Sequence, residues 1–281
     1  VYDRRIPRQP LDLALDGDGA LFMPQNNWGT EEAFVISLPD GVRELNIRDR
    51  LELGDEVTRE TTQRALRHDP DTGLLYSLKA GELDADPSLL RVVDPTSGEV
   101  LQRLEVGSNA TDLVVGKDAV YVAAFGSDAV AVVSKADWTV QMVPAGKAPL
   151  KLARMGDRIF TLCHLDGSLR EIGGEERAWP LPLEGTPDAL FAWRGRLVVV
   201  AHSTAALTLL LLDPATGEVE EARQLYGRFG DPHFDTPNSA FHMSGQYGDA
   251  VLSLTRGKIS EADELWLADL LSGWVLIVSE I

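Results

Sequence analysis

A phrase that recurs along the chain restricts its fold more than any other feature. An apolar run such as Ala119-Val120-Tyr121-Val122-Ala123-Ala124-Phe125 follows a Gly/Asp turn and precedes a second apolar run, which in the best-kept units closes on Asp-Pro-x-x-Gly-Glu. Aligned on the turn, the runs begin at Leu21, Leu75, Val120, Ile159, Leu197 and Val251. The intervals of 54, 45, 39, 38 and 54 residues average 46, the length of a four-stranded blade. A unit of this size cannot bury its own hydrophobic face, so the units must stack or close into an array.

The order within a unit is regular. A first strand (Thr111 to Val115, Leu150 to Arg154, Ala189 to Trp193) leads through a tight turn to the apolar run, then a loop, a third strand, a turn and a fourth strand. The turns are legible. Asp94-Pro95-Thr96-Ser97-Gly98-Glu99 and Asp213-Pro214-Ala215-Thr216-Gly217-Glu218 are near copies, with Leu38-Pro39-Asp40-Gly41 and Asp269-Leu270-Leu271-Ser272-Gly273 as looser versions. Proline sets φ for the turn and glycine accepts positive φ, so the flanking strands fold back tightly. Strand alternation with almost no helical period predicts an all-β fold, a single β-propeller domain over residues 1–281 built of four-stranded antiparallel blades. Six blades are recognisable, and a seventh fits if an N-terminal part is missing. Val1 to Gln9 reads as a detached fourth strand that docks beside the last unit near Trp274 to Ile281.

Composition narrows the partners. A formal charge of −18, from 44 acidic and 26 basic residues, excludes a nucleic-acid backbone or an anionic membrane surface as the main partner. Cys163 is the sole cysteine, which rules out an intrachain disulfide, and its place in Ile159-Phe160-Thr161-Leu162-Cys163 predicts a small buried thiol rather than a nucleophile. The longest greasy run, Leu207 to Leu212, is far too short for a membrane helix. The chain begins at Val1 rather than Met, which leaves room for a removed upstream segment carrying targeting information.

The unit Asn109-Ala110-Thr111-Asp112-Leu113-Val114-Val115-Gly116-Lys117-Asp118-Ala119-Val120-Tyr121-Val122-Ala123, followed by Asp128-Ala129-Val130-Ala131-Val132-Val133, resembles the YVTN-type β-propeller repeats of bacterial surface-layer and periplasmic proteins. Other units carry Leu-Tyr, Ile-Phe or Leu-Val where this one has Tyr-Val. The resemblance implies an extracytoplasmic location, in the periplasm or at the cell surface. The family mixes binding proteins, scaffolds and redox-enzyme subunits, so it settles no activity.

Departures from the repeat gather on the side of the second-to-third loops and blade connections: Pro24 to Glu32, Asn46 to Gln63, Lys79 to Ser88, Leu225 to Pro237 and Arg256 to Glu264. The opposite side keeps short Gly/Pro turns. Loops held by a rigid scaffold carry most binding, so the expected binding face comprises Asn26, Trp28, Phe125, His164, His202, His233 and Arg256. Trp28 is either a partner anchor, the lid of a small-molecule site, or a cap on its own blade. His164 and His202 fall at equivalent places in consecutive units, and with His233 and a carboxylate such as Asp166 or Asp231 they could hold zinc or copper. Hydrogen bonding to a loop is the competing role for each ring, and His68 and His242 read as satisfying backbone groups. The acidic loops Glu82-Leu83-Asp84-Ala85-Asp86 and Glu261-Ala262-Asp263-Glu264 could offer oxygen to calcium but lack the spacing of a calcium loop. Asp55 to Leu66 reads as a short helix with Ala65 and Leu66 inward, its Arg59 and Arg64, with nearby Arg67, forming a basic exception.

No phosphate loop, nucleophile elbow or His-Glu-x-x-His motif occurs, and no catalytic set is named. The expected function is therefore that of a non-catalytic binding or scaffold propeller with protein partners, as an extracytoplasmic protein or an accessory subunit, its cofactors unknown. The alternative is a propeller enzyme or redox-enzyme subunit, lactonase-like in fold, with a histidine-lined metal or acid–base site.

Overall fold

The computed structural model describes the backbone of residues 14–15, 20–27, 30–37, 41–46, 63–80, 87–174, 177–183, 185–202, 207–225, 241–243, 250–252, 255–259, 263–269 and 275–278. Among these the secondary structure is strand apart from one 3₁₀ turn, Phe125–Ser127. No helix of the described residues is long and apolar enough to cross a membrane.

The strands form seven antiparallel sheets in chain order. The first holds β1 (Ala14–Leu15), β2 (Ala20–Asn27), β3 (Thr30–Ser37) and β4 (Gly41–Asn46). The second holds β5 (Gln63–His68), β6 (Leu75–Lys79), β7 (Pro87–Val93) and β8 (Val100–Ser108). In the third are β9 (Ala110–Val115), β10 (Ala119–Ala124), β11 (Ala129–Ser134) and β12 (Val140–Pro144). The fourth comprises β13 (Pro149–Met155), β14 (Arg158–Cys163), β15 (Ser168–Ile172) and β16 (Ala178–Pro180). The fifth comprises β17 (Thr186–Trp193), β18 (Arg196–His202), β19 (Leu207–Leu212) and β20 (Val219–Leu225). A two-stranded sheet, β21 (Phe241–Met243) with β22 (Ala250–Leu252), and a three-stranded one, β23 (Thr255–Ile259), β24 (Leu265–Asp269) and β25 (Val275–Val278), complete the set. Each apolar run of the repeat is thus the second strand of its sheet, as expected.

Three expectations change. Pro24 to Glu32 is no insertion, because β2 and β3 pair without interruption from Ala20↔Ser37 to Asn27↔Thr30. The last unit splits in two, since Thr255–Ile259 is a strand that pairs with β24 rather than part of a loop. Residues 63–66, expected at the end of a helix, lie in β5, where Ala65 and Leu66 are both buried but on opposite faces of the strand. Val1 to Gln9, Asp55 to Thr62, residues 81–86 and residues 226–240 lie outside the described residues.

The chain divides into two compact units, the first of Val1–Ser127, Ala131–Met142 and Gln246–Gly248, the second of the remainder. In the first, β5 lies beside β9, and Tyr76, Leu78, Leu90 and Val92 of the second sheet meet Leu113, Val120, Val122, Ala131 and Val133 of the third. In the second, the two faces of the fifth sheet serve different clusters. Leu190, Leu197, Val199, Leu210 and Leu212 join Phe160, Leu162 and Leu169 of the fourth sheet, whereas Val198, Val200, Leu209 and Leu211 join Leu265 and Leu267 of β24. Alternation along near-continuous apolar strands thus gives the fifth sheet two buried faces.

The first strands share a device with no sequence signature. In β5, β9, β13 and β17 the register slips by one residue at the same place, leaving Arg64, Thr111, Leu150 and Asp188 as the extra residue of a bulge.

Candidate functional site: two ends of the blades

The turn ends are held by one six-residue hydrogen-bonding scheme used four times. In Asp94–Glu99 the first N–H donates to the last carbonyl (2.9 Å), and the Gly98 N–H donates back to Asp94 O (2.8 Å). The Asp94 carboxylate accepts the Thr96 N–H (2.8 Å) and the Ser97 hydroxyl (2.9 Å). Asp213–Glu218 and Asp69–Leu74 repeat the backbone bonds, and Ser134–Thr139 does so with a serine hydroxyl in place of the first carboxylate. The fifth residue is left-handed throughout, at φ 73° for Gly98, 72° for Gly73 and Gly217, and 60° for Trp138. A tryptophan there is strained, and it packs its half-buried ring on the core of the first unit.

These turns also bind neighbouring blades, which the sequence does not show. Lys135, in the turn after β11, donates to Asp69 Oδ2 across 2.8 Å, with Asp69 1% and Lys135 10% exposed. Burial pushes the Asp69 carboxyl up, but the donors Lys135, Thr72 and the Asp71 N–H outweigh it and hold the group below the usual carboxylate value. Burial and the nearby Asp69 charge push the Tyr76 hydroxyl up to about 12. In the second unit Arg158 makes a forked pair with Glu171 (2.7 and 2.6 Å), donates to Pro214 O (2.7 Å) and lies over the Phe160 ring. Arg177 donates to Ala215 O of the same turn (3.2 Å).

The loop end of the second unit is built differently. His164 follows β14, and its N–H still donates to Ala148 O (2.9 Å). Its ring reaches into the next sheet, with Nδ1 2.9 Å from Pro187 O. A carbonyl only accepts, so Nδ1 carries the hydrogen of this bond. Leu165 beside it is 71% exposed, the most exposed large apolar side chain among the described residues. Asp166, expected to orient a histidine, instead accepts from the Lys147 N–H (2.9 Å), the Ser168 hydroxyl (2.7 Å) and Arg170 (3.4 Å). Lys147 pairs with Asp128, which also accepts the Ala148 N–H (2.9 Å). The Lys147 and Ala148 donors hold the Asp128 carboxyl below its ordinary range. Cys163 is fully buried, and burial with the Asp166 charge pushes its thiol up to about 11, the inert state expected of it.

The other predicted site residues are placed as follows. His202 ends β18, opposite Thr186 and Leu207, at the position equivalent to His164. Phe125, the equivalent residue of the third sheet, is half-buried in the 3₁₀ turn, where the Ser127 hydroxyl accepts the Ser108 N–H (2.9 Å). Asn26 is a strand residue opposite Glu31, and Arg256 a strand residue opposite Ala268, so neither stands on a loop. Trp28 and His233 lie outside the described residues. Asp263 of the second acidic loop is taken by Arg194 (2.7 Å), and its carbonyl accepts the Trp193 indole N–H (3.0 Å). Among the described residues no group of three or more His, Cys, Asp or Glu could hold a metal.

No protein-family model and no curated protein sequence matches the chain. Solved structures do. The WD40 repeats of RRP9 share 14% identity over 99% of this chain and 81% of that one, with a TM-score of 0.65. Virginiamycin B lyase from Staphylococcus aureus shares 10% over 97% and 95%, with a TM-score of 0.59. A chain of the mitotic checkpoint complex shares 11% over 100% and 85%, also at 0.59. Identities this low carry the architecture and nothing further: the chain has a β-propeller fold.

Proposed function

We propose that this chain is a non-catalytic binding or scaffold propeller, one domain over residues 1–281, that engages a protein partner through the loop end of its blades. The observation that carries this reading is the contrast between the two ends of the second unit. Its turn end spends its polar groups on intrachain bonds, whereas its loop end presents exposed Leu165 on a corner braced by His164–Pro187 and by Lys147, Asp128 and Asp166. An apolar side chain on a rigid polar rim suits a protein partner. An extracytoplasmic location and membership of the YVTN-type repeat family follow the resemblance in residues 109–133, and a role as subunit of an assembly has a parallel in the mitotic checkpoint chain of like fold. A photo-crosslinking residue at position 165 tests the reading, with one at exposed Thr216 as control. A defined adduct from 165 in the native source, and none from 216, is expected; adducts from 216 alone overturn it.

The histidine-lined metal or acid–base site is the second reading. In its favour, a ligating imidazole commonly donates its other nitrogen to a backbone carbonyl, as His164 does to Pro187. Stoichiometric zinc or copper in the purified protein, lost in His164→Ala, supports this reading against the first.

A further inference from the structure

Resting on the loop-end reading above, we propose that the protein partner seated on Leu165 brings an Asp or Glu carboxylate to Arg170, and that this pair decides which partner binds.

The corner around Leu165 treats its two signs of charge differently. Its carboxylates are spent within the chain. Asp166 accepts the Ser168 hydroxyl on Oδ1 (2.7 Å) and the Lys147 N–H on Oδ2 (2.9 Å). Asp128 accepts the Ala148 N–H on Oδ1 (2.9 Å) and the Lys147 ammonium on Oδ2. All four oxygens thus hold a donor from the chain itself.

Arg170 keeps donors to spare. A guanidinium carries five N–H groups in a planar fork. Here Nε reaches the Ser168 hydroxyl and Nη2 reaches Asp166 Oδ2, both at 3.4 Å, longer than the usual limit of about 3.2 Å. Among the described residues no acceptor reaches its Nη1. The two weak contacts draw the guanidinium back along its own loop to the residue next to Leu165, and its side chain stays 35% exposed. Gly146 leaves room for it there: a Cβ at 146 would lie 2.6 Å from Arg170 Nε and 2.5 Å from Asp166 Oδ2.

The occupant follows from charge complementarity. The formal charge of −18 taken alone favours a basic partner, but contact is made with local donors, and at this corner those are a half-satisfied guanidinium and the 69% exposed Lys147. A partner carboxylate takes the open side of the fork in two parallel bonds, while an apolar socket beside it receives Leu165.

The test is photo-crosslinking from position 165 in the native source, repeated in Arg170→Gln, Arg170→Lys and Asp166→Asn, with thermal unfolding to confirm that each variant folds. Arg170→Gln lowers the yield of the 165 adduct about tenfold or more, because it strands the partner's carboxylate, and Arg170→Lys, which keeps the charge without the fork, recovers part of it. Asp166→Asn leaves the adduct in place, whereas a residue that only braced Asp166 would make the two variants fall together. A synthetic copy of the crosslinked partner peptide binds the wild type, and its affinity falls about tenfold or more when its acidic residues are replaced by their amides. An adduct indifferent to Arg170→Gln, lowered alike by Asp166→Asn, or mapped to a peptide without Asp or Glu overturns the inference and leaves the loop-end reading standing; no adduct from 165 overturns both.

Discussion

The two ends of the fifth sheet solve different problems with the same strands. Its turn, Asp213–Glu218, repeats the backbone bonds of Asp94–Glu99 and is gripped by Arg158 and Arg177 of the neighbouring sheet. Its other end receives the His164 ring, at Pro187 O, beside exposed Leu165. Backbone-directed bonds depend little on side-chain identity, so a repeat can copy them, while a loop end is free to vary and carry recognition. The difference teaches where stability and specificity are separable in this molecule.

Substitutions that break the turn end should cost most. Gly217 stands at φ 72°, and a Cβ there would lie 2.0 Å from Trp179 Cγ, so Gly217→Ala is expected to lose about 3 kcal/mol or more in denaturant unfolding. Gly73 has the same φ of 72° with nothing within 4 Å of a Cβ, so Gly73→Ala isolates the backbone strain at about 1 kcal/mol. Equal costs for the two would remove the packing argument. Comparable to Gly217→Ala is Lys135→Ala, which strands the buried Asp69 carboxylate and should cost about 3 kcal/mol in the same experiment.

The acid side follows from sign. Asp69 has a folded pKa below its unfolded one, so its contribution is whole above the ordinary carboxylate value and fades as pH falls through the lower folded value. Asp94, Asp128 and Glu171 are lowered too and act in the same direction. The unfolding midpoint should therefore drop below about pH 4, with a shallower drop in Asp69→Asn. The smallest effect is expected at the loop end: His164→Ala gives up one hydrogen bond to Pro187 O, about 1 kcal/mol.

What the sequence makes legible are the features that are local. The six second strands and the Asp-Pro-x-x-Gly-Glu turns can be read because glycine, proline and apolar alternation mark them within a few residues. The Ser134–Thr139 turn escapes because Trp138 stands where its homologous turns have glycine. The bulges escape because Arg64, Thr111, Leu150 and Asp188 share no chemistry, the slip being set by pairing with the second strand. Thr255–Ile259 reads as a loop because its charged and glycine residues hide a strand completed only by β24. At the site, the equivalence of His164 and His202 is visible in the spacing, but the Pro187 partner lies 23 residues on in another sheet and only the fold brings it near. The same holds for Lys135 and Asp69, 66 residues apart.

The separation of stability from recognition is tested most directly by measuring, in parallel, the unfolding free energy and the partner affinity of Leu165→Asp and Gly217→Ala. The account predicts that Leu165→Asp weakens partner binding by about tenfold or more while the fold keeps its stability. Gly217→Ala should lose stability and, while folded, bind as wild type does. Undiminished binding by Leu165→Asp, or binding lost by folded Gly217→Ala, would contradict it.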